Sequence, residues 1–313
     1  MASSRSSFLE RVNSLKCSLE SESVQTKVAT DVNNKEHNSV ARILRNGLTV
    51  VGFVTLEDFI KQRTSEVLAQ VGTKGIPFTQ LPEKLQSAST HGALKALAFQ
   101  LKIRSDQQEK LSYIQDHASK IASTTSSAYE LSEHTFGYDQ SNVTHETIHQ
   151  TLLAFNVDKP WDQITSISSR LGLLGLPAKS TYIGAASRRH KAAHVASADI
   201  PKADLEQFIK EAFAIAISYD LLISKALCNI AAFDTSYLRG DRKISSTEIE
   251  WRVIKKVNSD WKEYRTSNME GRAFRSNRDK ESLVQDAKQR AIRENYPIII
   301  LNEDNVVQEW CVN

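Results

Sequence analysis

Over residues 41–71 the chain reads ARILRNGLTVVGFVTLEDFIKQRTSEVLAQV, with Leu44, Leu48, Val51, Thr55 and Phe59 recurring at helical spacing. Val50 and Val54 widen this stripe until apolar positions nearly encircle the axis, a pattern that predicts a helix buried at the centre of a bundle. Gly72, Gly75 and Pro77 end it. Residues 1–38, rich in Ser, Asn, Glu and Lys, predict a frayed or loosely docked helical lead-in. Downstream, helical stretches are expected near Leu94–Leu101 and Gln107–Ile121, followed by a Ser/Thr loop over residues 123–127. Ser141-Asn142-Val143-Thr144 supplies a cap for a helix around Glu146–Phe155. After the turn at Lys159-Pro160-Trp161, the segment Trp161–Leu174 runs to a break at Gly175 and Pro177, and a further helix carries residues 186–194. Pro201-Lys202-Ala203-Asp204 opens a long helix to about Ala232, striped by Phe208, Ala212, Ile215, Tyr219 and Leu222. No convincing alternating strand interrupts residues 39–235.

The last seventy or so residues have a different texture. Ile249–Val257 and Trp261–Tyr264 are strand-like around the turn Asn258-Ser259-Asp260. Asp279–Asn295 is an amphipathic helix striped by Leu283, Ala287 and Ala291. Pro297–Leu301 and Val306–Val312 are strands joined by Asn302-Glu303-Asp304-Asn305. The expected fold is mainly α: a helical bundle over 39–235 behind the 1–38 lead-in, then a small α+β domain of ββαββ order over 246–313.

Length agrees with about two domains, since the chain has 313 residues, 40% of them hydrophobic. Forty Lys and Arg against 37 Asp and Glu leave a formal charge of only +3, so any nucleic-acid contact must come from local patches rather than a global field. Cys17, Cys228 and Cys311 show no paired spacing, which speaks against a disulfide framework or zinc cluster. The apolar run Leu48–Leu56 is too short to cross a bilayer, and the first residues hold no continuous apolar stretch, so a soluble cytoplasmic protein with no membrane partner is expected.

Candidate chemistry concentrates in Ala186-Ser187-Arg188-Arg189-His190-Lys191-Ala192-Ala193-His194. An arginine can hold a phosphate through two parallel hydrogen bonds, and a histidine can move a proton near neutral pH. Together they can cleave RNA, which carries its own nucleophile in the 2′-hydroxyl. Five positions on a helix separate Arg189 and His194 by about 140°, whereas His190 and His194 share a face. A two-fold partner would close such a site. A zinc-peptidase reading of His190–His194 fails because Lys191 stands where the general-base Glu is required, and no metal or organic cofactor is expected. The plain reading is a basic, solvated helix face, to which a chance Arg-x4-His spacing adds nothing.

The surroundings favour the chemical reading. Residues 39 to 232 resemble the HEPN superfamily, specifically the RiboL-PSP-HEPN branch, in three places: the helix VARILRNGLTVVGFVTLEDFIKQR with its late acidic residue, the connector FGYDQSNVTHETIHQTLLAF, and Arg189-His190-Lys191-Ala192-Ala193-His194. The resemblance implies a HEPN-type bundle that dimerises and sets two motif helices against each other. It also implies metal-independent endoribonuclease activity, often in toxins or anti-phage defence. Carried over, Arg189 and His194 are the catalytic pair and His190 the motif's polar position, with Arg188 and Glu57 in support. Glu57 can instead pair with Lys61, and Arg188 can be a surface charge. The resemblance also admits a catalytically silent dimeric module that meets a regulatory protein or antitoxin. A nucleotidyl-transferring enzyme would need a triphosphate site, and no Gly-rich phosphate loop is present.

The C-terminal module resembles a small domain of unknown function appended to bacterial proteins, through Trp261, the helix QDAKQRAIREN and the terminal strand pair. Between Trp251 and Arg278 eight basic residues face only Asp260, Glu263 and Glu270. With Trp251, Trp261, Tyr264 and Phe274 interleaved, Lys255, Lys256, Lys262, Arg265, Arg272 and Arg275 can hold an RNA backbone. The competing reading makes the aromatics the core of a module too small to fold without them.

Overall fold

The computed structural model describes residues 3–28, 32–265, 271–304 and 306–312. Among the described residues ten α-helices precede the sheet: α1 (Ser4–Leu19), α2 (Val32–Val71), α3 (Glu83–Ser87), α4 (Ala93–Ile103), α5 (Gln107–Ser123), α6 (His145–Ala154), α7 (Pro160–Arg170), α8 (Ala178–His194), α9 (Lys202–Ala231) and α10 (Thr235–Leu238). α2 and α9 form the spine, and α1, α7 and α8 pack around them. Gly52 makes room for this: a Cβ there would lie 3.1 Å from both Leu15 of α1 and Phe208 of α9.

The mainly helical expectation holds, most expected helices lie within a few residues of their expected ends, and two expectations are corrected. The lead-in is not loosely docked over Ser4–Leu19. α1 is capped by Ser3, and its Phe8, Val12, Leu15 and Leu19 lie in the core. Its polar composition hid a stripe of four apolar residues at spacings of four, three and four, sufficient to dock a helix. Nor is α2 buried all round. Phe53, Leu56, Phe59, Ile60 and Val67 face the core, while Val40, Ile43, Leu44, Val51 and Val54 are exposed. Nearly encircling apolarity therefore covers two faces, one packed into the core and one exposed.

The C-terminal residues form β1 (Arg252–Val257), β2 (Asp260–Arg265), β3 (Arg275–Asn277), α11 (Lys280–Glu294), β4 (Ile298–Leu301) and β5 (Val307–Cys311), in the sheet order β3-β2-β1-β4-β5. β1 runs parallel to β4, with α11 in the crossover between them, and antiparallel to β2. The short edge strand β3 adds to the expected ββαββ order; Arg-Ser-Asn has no apolar alternation to announce it. Alternation explains how the sheet sits. Ile254, Trp261, Ile298 and Ile300 pack with Leu283, Ala287 and Ala291 of α11, while Val253, Ile299, Val307 and Trp310 join the core of the bundle. The chain changes element type near residue 246, yet one core runs through both parts.

A buried carboxylate ties these parts together. Asp220 of α9 accepts hydrogen bonds from Arg63 Nε (2.6 Å), Trp310 Nε1 (2.7 Å), Ser224 Oγ (3.1 Å) and Arg5 Nη2 (3.1 Å). Burial opposes its charge, but the Arg63 and Arg5 guanidinium groups overcome this and hold it well below the usual carboxylate range. By length and composition Asn34–Lys74 and Lys202–Ala231 would suffice to cross a membrane; in the second, 89% of the apolar window is buried inside the protein.

Candidate active site

α8 starts after Pro177 and carries the motif on its last three turns. Its residues diverge. Arg188 turns towards α9 and donates to Glu211 at 2.7 Å, so the structure places it in an interhelical ion pair rather than beside Arg189. Arg189 turns to the connector ahead of α6, where Nη2 donates to Asn142 Oδ1 over a long 3.3 Å. Its Nε is shielded from solvent and has no hydrogen-bond partner among the described residues. His190 and His194 are exposed on one face with ring centroids 4.7 Å apart, as their spacing requires.

The connector is held on both sides. Glu57 of α2 accepts the backbone N–H of Val143 at 2.7 Å, and the Tyr182 hydroxyl of α8 donates to the Val143 carbonyl, also at 2.7 Å. Thr144 then caps α6 in a reciprocal arrangement with Thr147. Burial raises the Glu57 carboxyl above its ordinary pKa, and the Val143 N–H, Arg189 and Lys61 only partly offset it. Glu57 thus holds the connector backbone, with the Arg189 charge near enough to favour its ionised form.

Between connector and helix lies a cavity of about 260 Å³. Phe53, Tyr182, Ile183 and Ala186 give it apolar walls, and Asn142, His145, Arg189 and His190 add polar groups. His194 is not among its lining residues. Arg189 and His190 are therefore brought together with His145, which the sequence reading passed over. The signal was legible: a Thr144 cap makes His145 the first residue of α6, at the junction where the connector is pinned.

The basic residues of the C-terminal module differ in their surroundings. Lys255 and Lys262 pair directly across β1 and β2, with the Lys255 ammonium 5.1 Å from the Tyr264 ring. Lys256 bonds Glu303 at 2.7 Å. Arg265, Arg272 and Arg275 are exposed, two of them beside the exposed Phe274 ring, at 5.4 and 5.7 Å. Trp251, Trp261 and Tyr264 are buried, and Arg252 is locked between Phe274 and Tyr296 while pairing with Glu263 and Glu294. Most of the interleaved aromatics thus serve packing; Glu270, counted among the opposing acids, lies outside the described residues.

Among the described residues one cluster has metal-ligand composition. Ligand atoms of His117, Glu133 and His134 lie within 4.8 Å of one another. The two imidazoles stack at 4.2 Å and 24°, however, so their in-plane lone pairs run side by side instead of converging. The Lys120 ammonium, 2.9 Å from Glu133 and 3.0 Å from Asp116, already supplies the cation. The cluster fits packing better than ligation.

No family model, curated protein or solved structure matches this chain.

Proposed function

We propose that the protein is a homodimeric endoribonuclease of HEPN type, cutting RNA by attack of a 2′-hydroxyl on the adjoining phosphate and leaving a cyclic phosphate and a 5′-hydroxyl. The observation that carries this reading is Arg189, a guanidinium with an unpartnered Nε at a cavity that also holds His190. Such a group can offer its terminal nitrogens to phosphate oxygens, where charge gathers in the transition state. His194 moves the proton, with His190 beside it as the second acid–base group. The chemistry requires no metal. A toxin or anti-phage effector acting in the cytoplasm is the setting the resemblance suggests, with the C-terminal module contacting RNA or a regulator.

The second copy has a surface to meet. Val40, Leu44, Gly47, Val51 and Val54 repeat at four and three along the exposed face of α2, the seam spacing of paired helices. Gly47 lies within this strip, and a Cβ there would touch nothing within 4 Å, so packing inside one chain does not call for glycine. Close approach of a second helix does. Ile183 on α8 and Val195 just after its end are exposed, and α8 packs against α2.

The placement of His194 outside the cavity favours one competing reading, a silent dimeric module that binds a regulatory protein. Incubation of purified protein with RNA in EDTA separates the two. An enzyme yields cyclic phosphate ends that Arg189→Ala and His194→Ala each reduce by about 10²–10⁴-fold. A binding module yields none, or ends insensitive to both substitutions.

A further inference from the structure

The cavity beside Arg189 offers more than a phosphate clamp. Its volume of about 260 Å³ lies below the roughly 300–1,000 Å³ of pockets that enclose drug-sized ligands, which suits one planar ring system. The walls contributed by Phe53, Tyr182 and Ala186 are apolar and partly aromatic, while Asn142 and His145 bring polar groups from the connector. An RNA phosphate held by Arg189 has its base attached within a few bonds, and an unstacked base presents both a face to stack and a polar edge to read. Asn142 engages Arg189 through its carbonyl oxygen, and its amide donors remain available to a ligand. The loop carrying it is fixed by the two hydrogen bonds to Val143, so the edge-reading groups are positioned before any ligand arrives.

We infer that this cavity is a nucleobase subsite: it takes the base adjoining the phosphate held by Arg189, seated against Phe53, Tyr182 and Ala186, with its polar edge met by Asn142 and His145. The inference rests on the ribonuclease reading for its substrate. It restricts that substrate to single-stranded or looped RNA, because a base stacked and paired inside a duplex is not free to seat against these side chains. It also makes Asn142 and His145 determinants of base preference.

The test is calorimetric titration of the full chain with nucleoside 3′-monophosphates of the four bases, with the matching nucleosides and with inorganic phosphate. The expected result is that at least one monophosphate binds roughly tenfold or more tightly than inorganic phosphate, the advantage coming from the stacked base. Ala186→Phe, which fills the cavity, removes that advantage while phosphate binding persists. Asn142→Ala, on the exposed connector, narrows the differences among the four bases. Equal affinity for monophosphates and phosphate overturns the subsite, as does a base advantage that survives Ala186→Phe in protein with unchanged circular dichroism. Failure of the parent reading looks different: monophosphates bind with the expected advantage but no RNA is cleaved, which supports the subsite and removes the nuclease. Cleavage without any base advantage does the reverse.

Discussion

The Glu57 carboxylate of α2 accepts the backbone N–H of Val143 at 2.7 Å, joining residues 86 positions apart and fixing the connector from which Asn142 meets Arg189. A side chain whose sequence position suits it to orienting an arginine or to pairing with Lys61 instead holds the backbone of the connector that Arg189 meets. The bond has a consequence for stability as well as for the site.

Burial raises the Glu57 carboxyl in the folded protein, so the folded state holds its proton more tightly than the unfolded chain does. The stability this brings is present at low pH and is lost as pH rises from the ordinary glutamate value, about 4.3, through the raised one. Glu57→Gln keeps an oxygen acceptor for Val143 and cannot ionise. Thermal melts should show Glu57→Gln more stable than wild type at pH 7, with the difference vanishing near pH 4; a variant less stable at pH 7 would refute this. Glu57→Ala, which orphans the N–H, should cost about 1–3 kcal/mol.

The histidine stack behaves in the opposite sense. Burial, joined by the neighbouring His117, depresses His134 to about 4, and burial also lowers His117. Glu133 and Asp116 favour the charged forms while Lys120 and Arg104 oppose them; Tyr113 and Tyr138 pack on the rings. The folded state thus binds fewer protons, and stability falls as pH drops from the free histidine value near 6.5 towards 4. Urea unfolding at pH 7 and 4.5 should show a smaller acid-induced loss in His134→Phe, which keeps a ring and cannot titrate. An equal loss in variant and wild type would assign the acid sensitivity elsewhere.

Trp310→Phe retains the ring contacts with Phe8, Phe59 and Phe213 and removes the N–H that reaches Asp220. The expected cost is about 1.5–3 kcal/mol, the range for a hydrogen bond to a charged group. Asp220→Ala strips Arg63 of its buried partner and should cost more, about 3–5 kcal/mol. Because sheet and bundle share a core, far-ultraviolet dichroism and tryptophan fluorescence should trace one coincident transition. Two separate transitions would mean that the sheet folds alone.

Substitutions on the exposed strip of α2 separate self-association from folding. Val51→Glu should yield monomers in sedimentation velocity with little change in melting temperature, since Val51 is 59% exposed in the single chain. Gly47→Ala should favour the helix by roughly 1 kcal/mol in the monomer while weakening the dimer. Unchanged sedimentation in both variants would move the partner surface elsewhere.

Much of the helical architecture was legible because its signals are local. The Thr144 cap, the breaks at Gly175 and Pro177, and the stripes of α9 and α11 each depend on neighbours within a few turns. The spacing of the motif also settled that His190 and His194 share a face and that Arg189 points elsewhere. What lay beyond the sequence was which surface each side chain meets. Apolar periodicity does not distinguish a buried face from an exposed one, so the two faces of α2 read alike, and four apolar residues in α1 were outweighed by its polar composition. Arg188 and Arg189 are adjacent in sequence, yet helical rotation sends one to Glu211 and the other to Asn142. The cavity joins residues from α2, the connector and α8, and only tertiary packing, where long-range contacts decide partners, brings Arg189, His190 and His145 to the same space.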